Sequence, residues 1–459
     1  MSADFDNMTA IELKRRIARR EVSPVEVTRR ALEKAEATQA TLNCFSVIVP
    51  EAALEAARRA EQAVISGAPL GTLHGVPFSA KDLISVEGLR FASGSRAMAD
   101  NIGKVDAPAV ARAKAAGAIL IGKTTTSEFG CKPVGDSPLT GVTRNPLNLS
   151  LTPGGSSAGC AASVAGGITP FAMGTDGGGS IRIPAAFTGT FGIKANFGRV
   201  PVWPTSATPT LAHVCPLART VADAALLLQA ISGYEARDPA SIAEPVPDFV
   251  GACDAPLGRL RIAWSPTLGY ATPEAEVVRV CEAAAKRFEE AGCTLEQVDR
   301  VFAADPEDIW TAEFYAGVGT RLRPILENRR ELLDPAVASI LETALSQDMR
   351  SYYENVFKRY AFRDEMVAFF ERYDLLLSPT LPVVSLEAGK NIPDSLRERN
   401  LVSWVFYTYP FNLTGQPAAS LPAGLSSQGL PIGLQIVGPR NDEISVLKAS
   451  ACLERRLRG

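Results

Sequence analysis

Histidine is scarce in this chain of 459 residues, which contains only His74 and His213. The scarcity nearly excludes a histidine-based metal site and leaves few candidates for the base of a Ser-His-Asp triad. The eight cysteines are scattered and form no C-x-x-C pair, so no thiol-based metal or redox site is predicted. We expect reduced thiols, no bound metal and a cytoplasmic location.

A surplus of positive charge is missing as well, because the net charge at pH 7 is -3. Nucleic-acid binding relies mainly on basic residues that neutralise phosphates, so we expect no nucleic-acid partner. A small neutral or apolar ligand fits this charge balance better.

Long apolar runs and a secretory signal are also absent from the sequence. The most apolar stretch, Cys160 to Met173, is interrupted by glycines and a proline and is shorter than the run of about 18 residues that a membrane span needs. The first residues, MSADFDNMTAIELKRR, contain no short apolar core followed by a small-residue cleavage site. We therefore expect a soluble globular protein with no membrane partner.

Helical signals alternate with short apolar runs along the chain. Thr9-x-x-Glu12 and Ser23-x-x-Glu26 resemble capping boxes, and each predicts the start of a helix. Short apolar runs between helical segments are typical of strands buried on both faces of a sheet, so the alternation predicts an α/β fold. The predicted strands are 118–121, 191–194, 260–264, 375–377 and 433–437, and the further predicted helices are 51–66, 106–117, 221–231, 273–291, 335–345, 352–370 and 443–456.

Three short motifs match catalytic patterns but lack the structural context that those patterns need. Residues 117–124, GAILIGKT, match the phosphate-binding pattern G-x-x-x-x-G-K-[ST], but their middle residues are predicted to be a strand and not an exposed loop. Residues 155–159, GSSAG, match the nucleophile elbow, but no strand is predicted before them, and only His213 follows the serine. Ser445 to Lys448 matches S-x-x-K inside a predicted helix, without the companion K-T-G motif.

Two glycine-rich turns enclose residues 153–184, PGGSSAGCAASVAGGITPFAMGTDGGGSIRIP. Between the turns, the sequence predicts a helix of small residues and then an apolar strand. Three consecutive glycines, 177–179, are expected where backbone approaches a ligand closely or adopts strained dihedral angles, and their N–H groups are candidate oxyanion donors. Composition alone, however, favours a simple tight turn at this position.

This segment, together with GVPFSAKD at residues 75–82, resembles the amidase signature family of serine hydrolases. The resemblance extends over most of the chain and includes GAILIGKTTTSEF, FGIKANFGRVP, PLARTVADAALLL, NLTGQPAASLPAG and PIGLQIVG. It implies a three-layer α/β/α fold with a large mixed central sheet covered by helices. It also implies one domain over residues 1–459, with the signature core at about 70–220, and no cofactor.

The resemblance implies a catalytic triad of Lys81, Ser156 and Ser180, in which Ser156 is held in a cis peptide. Ser180 is the implied nucleophile, Ser156 relays its proton, and neutral Lys81 is the final base, so no histidine is needed. Lowering the pKa of Lys81 from about 10.4 to about 7 requires burial or nearby cationic groups worth roughly 4 to 5 kcal/mol. The local sequence alone predicts a surface lysine at the end of a strand.

The same resemblance implies roles for the residues around the triad. The backbone N–H groups of Gly177, Gly178, Gly179 and Ser180 are the implied oxyanion hole. The residues implied to orient this loop are Ser157, Thr175, Asp176 and Arg182. The chain departs from the common family pattern at Thr125, Ala158, Cys160 and Gly177, and none of these departures removes a catalytic group.

The segment from Val200 to Leu211 is apolar but contains three prolines, so we predict a loop near the catalytic edge of the sheet that lines the entrance. Aromatic residues elsewhere suggest a pocket for an apolar or aromatic acyl or amine group. The candidate pocket residues are Phe129, Gly130, Cys131, Trp203, Trp310, Phe314 and Tyr315.

The predicted activity is hydrolysis of a C–N amide bond in a small, apolar or aryl substrate through a Ser180 acyl-enzyme, with carbamates and esters as further candidate substrates. Two alternatives stay open. One is the glutaminase subunit of a transfer-RNA-dependent amidotransferase, which passes ammonia to a partner. The other is a catalytically silent scaffold on the same fold. We expect a monomer or a homodimer.

Overall fold

A computed structural model describes residues 5–458 of the chain. Residues 1–4, which begin the segment considered for a secretory signal, and residue 459 lie outside the described part. Within residues 5–458, no helix is both long enough and apolar enough to cross a membrane.

The predicted helix starts near the amino terminus are confirmed by their caps. The N–H of Glu12 donates to the Thr9 hydroxyl at 3.1 Å, and the N–H of Val25 donates to the Ser23 hydroxyl at 3.0 Å, which satisfies donors that the first turn leaves free. The α-helices are α1 (Ala10–Ala18), α2 (Pro24–Leu42), α3 (Pro50–Ser66), α4 (Pro108–Ala115), α5 (Ala158–Ala165), α6 (Arg182–Thr188), α7 (Val221–Ile231), α8 (Phe249–Asp254), α9 (Ala275–Glu290), α10 (Glu307–Asn328), α11 (Pro335–Leu345), α12 (Met349–Phe370), α13 (Pro410–Thr414) and α14 (Glu443–Arg458).

The strands are β1 (Phe45–Ile48), β2 (Pro77–Lys81), β3 (Ile119–Thr124), β4 (Asp136–Ser137), β5 (Gly141–Val142), β6 (Phe171–Asp176), β7 (Phe191–Lys194), β8 (His213–Ala218), β9 (Arg261–Trp264), β10 (Thr294–Gln297), β11 (Leu375–Pro379), β12 (Ala418–Leu425) and β13 (Pro431–Val437). The five strands predicted with bounds are present, as β3, β7, β9, β11 and β13. The apolar strand predicted between the two glycine-rich turns is β6. The strands β8 and β12 were not predicted, and each contains a proline, Pro216 or Pro422, which weakens a strand pattern in sequence.

Among residues 5–458, eleven strands form one mixed sheet in the order β1-β3-β2-β6-β8-β7-β12-β13-β11-β9-β10, and β4 pairs with β5 separately. The pairs β3–β2, β2–β6, β11–β9 and β9–β10 are parallel, and the remaining neighbours are antiparallel. This is the large mixed central sheet that the resemblance implied. The strands of this sheet come from residues 45 to 437. One domain over residues 1–459, which the resemblance implied, stays a prediction.

Both faces of the sheet are buried along its central strands, which explains the continuous apolar runs of those strands. In β6, Phe171 and Met173 join one hydrophobic cluster, while the intervening Ala172 joins another. In β11, Leu375 and Leu377 face the first cluster and Leu376 faces a third. Because side chains alternate between the faces of a strand, these clusters lie on opposite sides of the sheet and form the two helix-covered layers.

Candidate active site

The strands β2 and β6 are parallel neighbours, so their carboxyl ends meet at the same edge of the sheet. Lys81 is the last residue of β2, and Asp176 is the last residue of β6. The glycines 177–179 continue from β6 to Ser180, just before α6. Ser156 reaches the same edge from the loop that precedes α5. The topology therefore gathers three segments that lie far apart in sequence.

The structure brings Lys81, Ser156 and Ser180 into one chain of polar contacts. The Nζ atom of Lys81 lies 2.7 Å from the Oγ of Ser156, which lies 2.9 Å from the Oγ of Ser180. The peptide bond between Gly155 and Ser156 is cis. This arrangement can carry a proton from the Ser180 hydroxyl to the amine of Lys81 through a single intervening hydroxyl.

Lys81 is fully buried, unlike the surface lysine that its local sequence predicts. Burial lowers the pKa of Lys81 from 10.5 to about 7, because the charged amine loses its hydration, and the nearby Cys160 and Asp176 act in the opposite direction. The Nζ atom also donates to the Thr175 hydroxyl at 2.8 Å. A lysine with this pKa is partly neutral near pH 7 and is able to accept a proton.

Ser157 joins the Ser156 loop to the end of β6. Its hydroxyl donates to the carbonyl oxygen of Thr175 at 3.1 Å, and its backbone N–H donates to the carbonyl oxygen of Ser180 at 3.2 Å. Since both partners flank the glycine run, Ser157 fixes the distance between the two serine loops.

Asp176 and Arg182 form a fully buried ion pair with an Nη2–Oδ1 distance of 2.9 Å. Burial alone would raise the pKa of Asp176, but the charge and hydrogen bonds of Arg182 hold that pKa well below its usual range. The carboxylate also accepts the N–H of Gly179 at 2.8 Å and the N–H of Ile181 at 3.2 Å. The pair therefore fixes the loop on both sides of Ser180.

The N–H of Gly179 is occupied by Asp176, so it is not free to serve as the oxyanion donor that the resemblance implied. Within residues 5–458, the N–H groups of Gly177, Gly178 and Ser180 have no acceptor. These three groups are the donors that the geometry leaves available for a developing negative charge.

Close packing accounts for the glycine run better than a tight turn alone. A Cβ atom on Gly177 would lie 2.8 Å from the ring of Phe314, and one on Gly178 would lie 2.6 Å from the ring of Trp310. Gly179 has a φ of +128° and faces Thr408, whose Oγ1 would lie 2.2 Å from an added Cβ. At Gly177, where the common family pattern has a threonine, Phe314 occupies the space that a larger side chain would need.

A cavity of about 400 Å³ opens onto Ser156 and Ser180. Four of the candidate pocket residues, Phe129, Gly130, Trp203 and Phe314, line it. The segment from Val200 to Leu211 forms no helix or strand and contributes residues 202–208 to the wall, as predicted for an entrance loop. The further apolar residues that line the cavity are Leu83, Ile84, Phe91, Met98, Val214, Val318, Leu322 and Ile325.

Three candidate pocket residues lie in the hydrophobic core and not on the cavity wall: Cys131, Trp310 and Tyr315. The Tyr315 hydroxyl donates to the carbonyl oxygen of Cys131 at 2.9 Å, and the Trp310 indole N–H donates to the carbonyl oxygen of Gly177 at 2.9 Å. The apolar character of these side chains predicted correctly that they are buried. It could not tell a place in the hydrophobic core from a place on a pocket wall, because such side chains are buried in both.

Three residues without a role assigned from sequence contact either the glycine run or the Asp176–Arg182 pair that holds it. Asn412 donates to the Asp176 carboxylate at 2.9 Å, Thr408 donates to the carbonyl oxygen of Gly178 at 2.6 Å, and Gln435 accepts from Arg182 at 2.8 Å. Asn412 and Gln435 lie in NLTGQPAASLPAG and PIGLQIVG, two of the segments that carry the family resemblance. Their position in these two segments was the one feature of the sequence that could have indicated a role for Asn412 and Gln435.

The structure gives other contacts to the residues of two alternative catalytic patterns, the phosphate-binding loop and the Ser-His-Asp triad. Lys123 of the phosphate-binding pattern lies in β3 and forms a buried ion pair with Asp82 at 2.9 Å. The Nδ1 of His213 faces the carbonyl oxygens of Leu211 at 2.8 Å and Asp176 at 3.1 Å, so it faces no serine. No group of three or more His, Cys, Asp or Glu residues able to hold a metal ion occurs in the described part of the chain.

Known proteins resemble this chain over nearly its whole length. Residues 26–447 match the sequence profile of the Amidase family. The chain is 34% identical to an acylamidase of Rhodococcus erythropolis over 458 residues, which cover 97% of this chain and 95% of that protein. It is 35% identical over 472 residues to the A subunit of glutamyl-tRNA(Gln) amidotransferase from Moorella thermoacetica, covering 98% and 96%. The structure of a bacterial aryl acylamidase of the amidase signature family matches with a TM-score of 0.92 at 31% identity, covering 98% and 96%.

Proposed function

This chain belongs to the amidase family of amidase signature hydrolases, and we propose that it cleaves the C–N bond of a small acyl amide through an acyl-enzyme on Ser180. The observation that carries the proposal is the contact chain from Lys81 through Ser156 to Ser180, with distances of 2.7 and 2.9 Å. It leads from a nucleophile on the cavity wall to a buried amine whose pKa is about 7.

Acylation begins when the Oγ of Ser180 attacks the amide carbonyl carbon. The Ser180 proton passes to the Oγ of Ser156, whose own proton passes to neutral Lys81, so one ammonium forms for each tetrahedral intermediate. The negative oxygen of that intermediate accepts hydrogen bonds from the free N–H groups of the glycine run. When the C–N bond breaks, Lys81 returns the proton to the leaving amine through Ser156.

Deacylation repeats this sequence with water in place of Ser180. Water attacks the ester carbonyl carbon, and Ser156 and Lys81 accept its proton. The ester C–O bond then breaks, and the proton returns to the Oγ of Ser180. The carboxylic acid leaves, and the enzyme regains its starting protonation state. Each residue of the triad is therefore used in both half-reactions.

The cavity supports an apolar or aryl substrate. Its wall is mainly aliphatic and aromatic, and burial of such a group in it stabilises binding by about 25 cal/mol per Å² of apolar surface. Similarity to the structure of a bacterial aryl acylamidase supports an aryl substrate. Carbamates and esters are further candidates, because attack of Ser180 on the carbonyl carbon of each of them also forms a tetrahedral intermediate with a negative oxygen.

Similarity to the A subunits of amidotransferases keeps the glutaminase function as the second candidate. Glutamine carries an ammonium group and a carboxylate, and both need charged partners. Among the residues that line the cavity, the carboxylate of Asp176 is already paired with Arg182, and Arg321 is the remaining side chain with a full charge. This wall therefore provides no free carboxylate for the ammonium group of glutamine, and we rank glutaminase below acyl amide hydrolysis.

A fluorophosphonate probe with mass spectrometry tests the activated serine directly. We expect one adduct, on Ser180, which is lost in Ser180→Ala and formed more slowly in Lys81→Ala. Ser445→Ala and Lys448→Ala, which disrupt the S-x-x-K match in α14, are matched controls and are expected to label like the wild type. Folded protein that gives no adduct would instead support a silent scaffold.

Substrate panels then separate the two enzymatic candidates. Turnover of aryl and alkyl amides by the isolated chain, dependent on Ser180, supports an amidase. Release of ammonia from glutamine only when the other amidotransferase components are added favours the glutaminase and contradicts the primary proposal.

A further inference from the structure

We propose that Trp310 is a positioning residue that orients an oxyanion donor through the backbone of the glycine run. The inference rests on the proposed function, because it assigns a role in stabilising the tetrahedral intermediate. Trp310 lies on α10, is 3% exposed and does not line the cavity. Its indole N–H donates to the carbonyl oxygen of Gly177 at 2.9 Å. Trp310 therefore acts on the loop and not on the substrate.

Because a peptide group is planar, a contact that holds the carbonyl of Gly177 also sets the direction of the N–H of Gly178. The carbonyl of Gly177 and the N–H of Gly178 belong to one planar trans peptide, in which they point in opposite directions. Because Trp310 binds the carbonyl, the N–H of Gly178 points away from Trp310. It has no acceptor among residues 5–458, and both Gly177, which precedes it, and Ser180, two residues after it, line the cavity. This N–H is thus available to an oxyanion formed at Ser180.

The neighbouring peptides are held in the same way. The carbonyl oxygen of Asp176 accepts from Asn412 at 3.1 Å and lies 3.1 Å from the Nδ1 of His213, and the carbonyl oxygen of Gly178 accepts from Thr408 at 2.6 Å. Three consecutive carbonyls are therefore held by side chains from separate parts of the chain. Glycine backbone has more conformational freedom than any other, so these contacts confine a loop that would otherwise sample several orientations.

Trp310 is the single side-chain donor to the carbonyl of Gly177 among the described residues, whereas the carbonyl of Asp176 contacts two side chains, Asn412 and His213. Packing fixes the indole ring itself. The ring stacks on Phe314 at 4.5 Å and on Tyr409 at 5.7 Å between centroids. The orientation of Gly178 consequently depends on one well-anchored donor, and removing that donor is a specific test.

Trp310→Phe removes the N–H and keeps an aromatic ring at this position. We expect kcat to fall about 10- to 100-fold with KM nearly unchanged, because an oxyanion donor contributes to the transition state and little to substrate binding. A trifluoromethyl ketone analogue of the best amide substrate, which forms a tetrahedral adduct with Ser180, should lose affinity by the same factor. The fall of kcat/KM at acidic pH, which reports protonation of Lys81, should occur at the same pH as in the wild type, because the substitution does not contact Lys81.

Trp404→Phe is the matched control. Trp404 is also buried, and its indole N–H donates to the carbonyl oxygen of Asn391 at 3.0 Å, outside the glycine run. This variant loses the same kind of bond, so any general cost of losing an indole donor appears in it as well. We expect its kcat and its affinity for the ketone to match the wild type.

If Trp310→Phe fails to fold, site-specific replacement of Trp310 by benzothienylalanine removes the N–H while keeping the size of the ring. Wild-type kcat in the folded variant, an equal loss in Trp404→Phe, or a rise in KM at constant kcat would each overturn the inference. Fluorophosphonate labelling distinguishes these outcomes from failure of the proposed function. Wild-type protein that does not label at Ser180 contradicts the function itself, whereas labelled protein with unchanged kcat contradicts only the role of Trp310.

Discussion

The amine of Lys81 lies 2.8 Å from the hydroxyl of Thr175, a residue of the neighbouring parallel strand. Its other polar contact is also a hydroxyl, that of Ser156. Lys132 is buried too, but it contacts the carboxylates of Asp136 and Asp334, which overcome the effect of burial and raise its pKa. Hydroxyl groups form hydrogen bonds with an amine but stabilise its positive charge less than carboxylates do. Burial therefore lowers the pKa of Lys81 to about 7.

The low pKa of Lys81 predicts an acidic limb in the rate of amide hydrolysis. Neutral Lys81 is the base, so kcat/KM should be constant above about pH 7 and should fall about tenfold per pH unit below it. Measurement of kcat/KM on an uncharged amide between about pH 5.5 and about pH 9 checks this, with a stability control at each pH. A profile that stays flat through pH 7 would contradict Lys81 as the base.

Thr175→Val should lower kcat about tenfold and move the acidic limb to lower pH. The hydroxyl accepts an N–H from Lys81 and favours the charged amine, so its loss lowers the pKa of Lys81 further. Thr175→Ser keeps the hydroxyl and is the matched control, with the limb expected near its wild-type position. A limb that moves to higher pH in Thr175→Val would show that Thr175 does not stabilise the ammonium form.

Local sequence patterns were sufficient for most secondary structure. The predicted helices at 221–231 and 335–345 coincide with α7 and α11, since Thr220 and Asp334 provide N-cap side chains and the apolar positions have helical spacing. The long helix α10 was not predicted. It contains Gly317, Gly319 and Pro324, which weaken a helical pattern, and tertiary packing on the cavity side holds it in place.

For the candidate site as well, the sequence predicted residues that belong to recognisable motifs but not contacts between residues far apart in the chain. The residues of the proposed triad were identified from long motifs that resemble a family, and the structure places their side chains in contact. Their catalytic roles stay a prediction. The contact of Trp310 with Gly177 joins residues 133 positions apart. Periodicity and composition describe neighbours along the chain, so they identified Trp310 as an aromatic residue near the site but not as a donor to the glycine run.

Gly177→Ala should impair catalysis because its Cβ would lie 2.8 Å from the ring of Phe314. We expect kcat/KM to fall about tenfold or more, and we expect Phe314→Ala to recover part of the loss in the double variant, because residues in contact show coupling of about 0.5 to 3 kcal/mol. Phe357→Ala, at an exposed position of α12, is the control for loss of a phenyl ring and should recover nothing. Strict additivity of Gly177→Ala and Phe314→Ala would show that the two side chains do not collide.

Cavity size should limit the length of the acyl group. Val318 lines the cavity on the face of α10 that also carries Phe314, Leu322 and Ile325, so Val318→Phe places additional ring atoms in the substrate space. We expect kcat/KM for a long-chain or aryl acyl anilide to fall about tenfold, while acetanilide changes less than about twofold, because only the larger acyl group reaches this wall. Val367→Phe makes the same substitution on an exposed face of α12 and should leave both values unchanged. An equal loss for both anilides in Val318→Phe, with its stability intact, would place the acyl group elsewhere and assign this wall to the amine side of the substrate.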